Sequence, residues 1–133
     1  MKPHEEAVRK VVAEWLLKAD ADLALASYLL GEGSLFPSAV AFHSQQAAEK
    51  YLKAFLSRHQ VAFPKTHDLA VLLDLVETID RDLAASLRDV IVLTLYGVEI
   101  RYPTDQPDAT PEEAQDAVQL ARKLRDAISK VLK

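Results

Sequence analysis

The sequence contains no cysteine, which excludes disulfide staples and thiolate metal sites and fits a cytoplasmic protein. Glycine is scarce, with three residues in 133, which suits long helices better than a turn-rich sheet protein. No apolar run is long enough to span a bilayer. The longest, Val90 to Val98, is interrupted by Gly97. The N-terminal MKPHEEAVRKVVAEW carries charges throughout and lacks the apolar centre of a signal peptide. Net charge is −4, which argues against duplex DNA held by phosphate contacts. P-loop, GxGxxG, GxSxG and HExxH motifs are all missing. The four histidines, His4, His43, His59 and His67, lack zinc-ligand spacing, so neither a metal nor a cofactor is expected.

What is present is ordinary globular material, half hydrophobic and about a quarter charged, enough for one domain over residues 1–133 with one core. The pattern predicts an all-α, up-and-down bundle of about five helices. The first covers residues 4 to 30, about 40 Å at the usual rise. Its stripe is Trp15, Ala19, Asp22, Ala26 and Leu29. Asp22 sits in an apolar row. There a carboxylate needs a cation or several donors or else remains protonated, unless the position is exposed at the helix end. Lys50, His67 and Arg101 are the expected partners for a structural ion pair.

The second helix starts at Pro37 or Ser38 and runs to about Gln60. Val61 to Pro64 then forms an apolar connection tucked against the bundle. Thr66 is expected to cap a third helix from about His67 to Ile79, burying Leu69, Leu72, Leu73 and Val76. A fourth segment, Leu83 to Arg101, is rich in β-branched residues. No other stretch offers a strand partner, so it is read as one helix buried on more than one side. That makes it either the central helix or the seam of a homodimer. Thr110-Pro111-Glu112-Glu113 is a helix start, with Thr at the cap, Pro next and Glu two residues later. The last helix buries Ala114, Ala117, Val118, Ala121, Leu124 and Ile128.

The stretch Ala41 to Asp68 holds most of the polar residues that exceed simple solvation. His43, Gln46, Lys50 and Lys53 recur at i, i+3, i+7 and i+10, which is one helix face. Between Gly33 and His67, Lys50, Lys53, Arg58 and Lys65 face Glu49 alone, a local excess of +3 in an acidic chain. Three readings fit: a solvated face with a capping threonine, an anion-binding surface, or half of a charge-complementary interface.

FHSQQAAEKYLKAFL, then PKTHDLAVLL, a later RYP and Trp15 spaced six residues before Asp22-Leu23 together resemble the HEPN domain of prokaryotes over nearly the whole chain. The resemblance implies a helical bundle, often dimeric, with a proposed nucleotide-binding role. Many such proteins pair with a minimal nucleotidyltransferase in toxin–antitoxin-like systems. Others are metal-independent ribonucleases with Arg followed after four to six residues by His. Here Gln106, Pro107 and Asp108 stand where that His would follow Arg101. The sequence therefore resembles the non-nuclease branch. The candidate ligand site read from the polar face and the turn after it is His43, Gln46, Lys50, Lys53, Thr66 and His67, with Arg101 and Tyr102 closing it. No catalytic residue is assigned. The alternatives are a ribonuclease built on His43, His67 and Arg101, or a purely structural dimeric protein.

Overall fold

The computed structural model describes residues 2–32, 35–97 and 108–132. Its elements are α1 (Pro3–Gly31), α2 (Pro37–Arg58), α3 (Leu69–Glu77), α4 (Arg81–Ser86), a 3-10 helix (Arg88–Tyr96) and α5 (Pro111–Val131). No strand occurs among the described residues, and the architecture is the expected all-α bundle. Arg101 and Tyr102 lie outside the described residues.

The central helix is α2, not the fourth segment. Thirteen of its 22 residues are buried, so it has no wholly wet face. It packs chiefly against α1 and α5 and also touches α3 and the 3-10 helix. Small residues explain how it fits there. Ala41, Ala47, Ala48 and Ala54 are fully buried and let neighbouring helices approach, while Tyr51, Leu52, Phe55 and Leu56 fill the space between. α2 ends at Arg58. The Val61 N–H reaches back to the Leu56 carbonyl at 2.9 Å, and Gln60 takes the left-handed conformation with φ 57°.

The fourth segment is not one α-helix. It divides at Leu87 into α4 and the 3-10 helix. Leu87, Val90 and Leu93 recur every third residue and are all fully buried. Three residues per turn keeps those side chains in one row. The β-branched Val90, Ile91, Val92 and Thr94 also have weaker α preference. Val92 and Leu95 face outward, each about half exposed (50% and 51%), so the segment is buried on one side only.

Asp68, rather than Thr66, caps α3, its carboxylate accepting from the Ala70 N–H at 2.9 Å. Thr66 acts one step earlier, its hydroxyl accepting from the Asp68 N–H at 3.0 Å. The four expected apolar residues of α3 are buried, as are the six of α5. The Thr110–Glu113 capping box forms in both directions. Phe63 folds back so that its ring meets Trp15 edge-on at 6.2 Å.

Candidate functional site

The polar residues of α2 are gathered around two carboxylates, one from α1 and one from α2 itself. Asp22 comes from the α1 row facing α2. It accepts from His43 Nδ1–H at 3.0 Å and from the Lys50 ammonium. All three side chains are partly buried, with exposures of 14%, 24% and 21% for Asp22, His43 and Lys50. Of the other expected partners, His67 turns to a different carboxylate and Arg101 lies outside the described residues. His43 and Lys50, seven residues apart on one helix face, share the acceptor.

Glu49 is the second centre and is buried at 3% exposure. It accepts from Lys53 Nζ at 2.8 Å, from His67 Nδ1–H at 2.6 Å and, more weakly, from Gln45 Nε2 at 3.3 Å. Gln45 also donates to the His67 carbonyl at 3.1 Å, which ties the loop before α3 to α2. Gln46 donates to the Gln45 side-chain oxygen at 2.7 Å. Burial pushes the Glu49 carboxyl up. The hydrogen bonds and charges of Lys53 and His67 outweigh it and hold the group below its ordinary value.

Lys53 is enclosed rather than displayed. Its ammonium lies 5.5 Å from the centre of the Trp15 ring and 5.7 Å from that of Phe63, with Glu49 as counter-ion. The structure therefore brings His43, Gln46 and Lys50 to accessible positions but withdraws Lys53 from them. Thr66 is half-buried in its turn, and the His67 ring is largely exposed, at 67%.

The electrostatic result differs from the linear count. Counted against the lysines alone, Asp22 and Glu49 balance Lys50 and Lys53. The apparent excess of the segment is cancelled in part by a carboxylate delivered from α1. A third polar contact lies on the opposite side of the α1–α2 seam, where the buried Tyr51 hydroxyl donates to Asp20. Burial and that carboxylate both push the Tyr51 phenol upward.

Glu49 and Gln45 are the residues that helical-face spacing misses. The signal available was their position: two polar residues, four apart, beside Ala47, Ala48, Tyr51 and Leu52. Among the described residues, no group of three or more His, Asp or Glu side chains is placed to hold a metal ion. No helix among them is long and apolar enough to cross a membrane.

The arrangement of helices matches solved structures. TT1696 from Thermus thermophilus is 32% identical, with a TM-score of 0.66, covering 90% of this chain and 96% of that one. ST0689, described as an archaeal HEPN homologue, is 21% identical with a TM-score of 0.66, covering 92% and 98%. The latter likeness bears on the fold alone. No curated relative matches the chain. Residues 12–131 match the HEPN domain model, a span from the middle of α1 to the last residue of α5, and the chain belongs to that family.

Proposed function

We propose that this chain is a non-catalytic HEPN-type module that binds a nucleotide and partners a nucleotidyltransferase-type protein in a toxin–antitoxin-like pair in the cytoplasm. The observation that carries the reading is the sequence after Arg101. Gln106, Pro107 and Asp108 occupy the spacing where a ribonuclease of this family needs histidine. Without an imidazole there, proton transfer at that position has no carrier. The nucleotide would meet Lys50, His43 and Gln46, flanked by Thr66 and His67; Arg101 and Tyr102, which the sequence also assigns to the ligand, lie outside the described residues. Lys53 would act indirectly, by fixing Glu49 and through it His67.

Calorimetric titration with ATP tests the nucleotide part. Saturable binding that weakens in Lys50→Ala is expected. Folded wild-type protein that ignores ATP at about 10 mM, a concentration that detects even millimolar affinity, removes it. The partner part then stands alone, to be judged by what co-purifies with the chain.

One contact favours a second reading, a ribonuclease. His67 is exposed and its ring is oriented by buried Glu49, the relation a general base needs. RNA cleavage that persists in EDTA and disappears in His67→Ala would replace the first reading with this one.

A further inference from the structure

At the other end of α2 lies a cleft that the site above does not use. It has a volume of about 330 Å³ and is lined by His4, Glu5, Val8 and Arg9 of α1 and by Arg58 and Gln60 at the end of α2. Because α1 and α2 run antiparallel, the first turns of one meet the last turn of the other. His4, Glu5, Val8 and Arg9 fall on one side of α1, since residues four apart share a face. Gln60 lines the cleft from the end of α2. Its side-chain oxygen accepts from His4 Nε2–H at 2.7 Å and so joins the two walls.

Among the described residues neither Arg9 nor Arg58 has a carboxylate partner; most of the other basic side chains also lack one, but these two line a single cleft. Glu5 stands on the same wall and pairs with neither guanidinium. Two arginines thus project from different helices into one cleft with their forks unengaged. An anion between them would relieve their mutual repulsion and satisfy both. The planar guanidinium presents paired N–H donors that match the oxygens of a phosphate, and two such groups with a histidine beside them suit a dianion better than a single carboxylate. The volume is at the lower end for small-molecule sites, enough for a phosphate carrying a group of about sugar size.

We propose that this cleft binds a small phosphomonoester, with Arg9 and Arg58 holding the phosphate from opposite helices and His4 and Gln60 setting the width. The site is separate from the Asp22 and Glu49 clusters and does not depend on the nucleotide reading.

The test is calorimetry on the full chain with ribose 5-phosphate, with ribose and inorganic phosphate as comparisons. Ribose 5-phosphate is expected to bind saturably, ribose not at all, and inorganic phosphate more weakly than the ester. Arg9→Gln and Arg58→Gln should each weaken binding about tenfold. Both side chains are exposed, so both variants should keep the wild-type circular dichroism and melting curve. Lys50→Ala should bind ribose 5-phosphate unchanged. Absence of binding at about 10 mM, wild-type binding in either arginine variant, or inorganic phosphate binding as tightly as the ester would each overturn the proposal. ATP binding in Lys50→Ala judges the earlier reading and ribose 5-phosphate binding in Arg9→Gln judges this one, so the two fail separately.

Discussion

Removing Glu49 should be among the more damaging single changes in this protein. In Glu49→Leu the Lys53 ammonium loses its counter-ion while remaining buried at 7% exposure. Breaking a buried pair by deleting one member costs about 3–5 kcal/mol. Lys53 would keep the faces of Trp15 and Phe63, and such contacts are worth about 2 kcal/mol or more when desolvated, so the lower end of that range applies. A loss of roughly 3 kcal/mol is a large part of the ~5–15 kcal/mol that holds a domain together. Urea denaturation followed by far-UV circular dichroism reads it directly. The decisive variant is Glu49→Leu/Lys53→Met. Replacing both charges by apolar groups is often neutral or stabilising, so the double variant should recover most of the loss. A single variant that loses less than about 1 kcal/mol, or a double variant no better than the single, would refute the description of this pair as desolvated and coupled.

The same pair sets a pH dependence. Folding lowers the Glu49 carboxyl from its reference value of 4.5, because Lys53 and His67 together outweigh the upward push of burial. A carboxyl whose folded value is depressed stabilises fully above its unfolded value. That stabilisation fades as pH falls below 4.5 and through the lowered value. The wild type should therefore lose stability in that acid window more steeply than Glu49→Leu/Lys53→Met, which lacks the group.

Two further substitutions probe the frame around the site. Asp22→Asn keeps one acceptor oxygen but removes the charge and the second acceptor, leaving Lys50 and His43 partly buried without their shared carboxylate; it should cost about 1–3 kcal/mol in urea denaturation, with part returned by adding Lys50→Met. Thr110→Ala removes the hydroxyl that accepts from the Glu113 N–H at 3.1 Å. It should cost about 1 kcal/mol, seen as a lower melting temperature, while leaving ATP titration unchanged.

Much of the bundle is legible from periodicity because α3 and α5 each have one wet face. Their apolar residues recur at three and four, and no neighbour contradicts the pattern. Asp22 is legible for the converse reason: a carboxylate in an apolar row demands a cation, and Lys50 answers it. The fourth segment is harder. Leu87, Val90 and Leu93 are spaced by three, a step that a single α-helical turn also tolerates, so the sequence alone does not separate the two helix types. α2 resists for a different reason. A face drawn from i, i+3, i+7 and i+10 gives the direction of a side chain but not what stands opposite it. Trp15 and Phe63 cover Lys53 from positions 38 residues before it and 10 after it, and only the tertiary fold brings them there.

That distinction changes what a local charge count means. The segment from Gly33 to His67 is basic when read along the chain, and its two central lysines suggest an open anion surface. In the folded chain those lysines are matched, Lys53 by Glu49 on its own helix and Lys50 by Asp22 from α1. A ligand phosphate at Lys50 must therefore compete with Asp22, which caps the affinity that position can offer. Arg58 is counted in the same segment, yet it forms no ion pair among the described residues and shares a cleft with Arg9 and Glu5 of α1. Two guanidiniums against one carboxylate still leave a net positive charge at the C-terminal end of α2, unlike the matched pairs at its middle. An anion drawn to this molecule by charge alone should reach the Arg9–Arg58 cleft before it reaches Lys50.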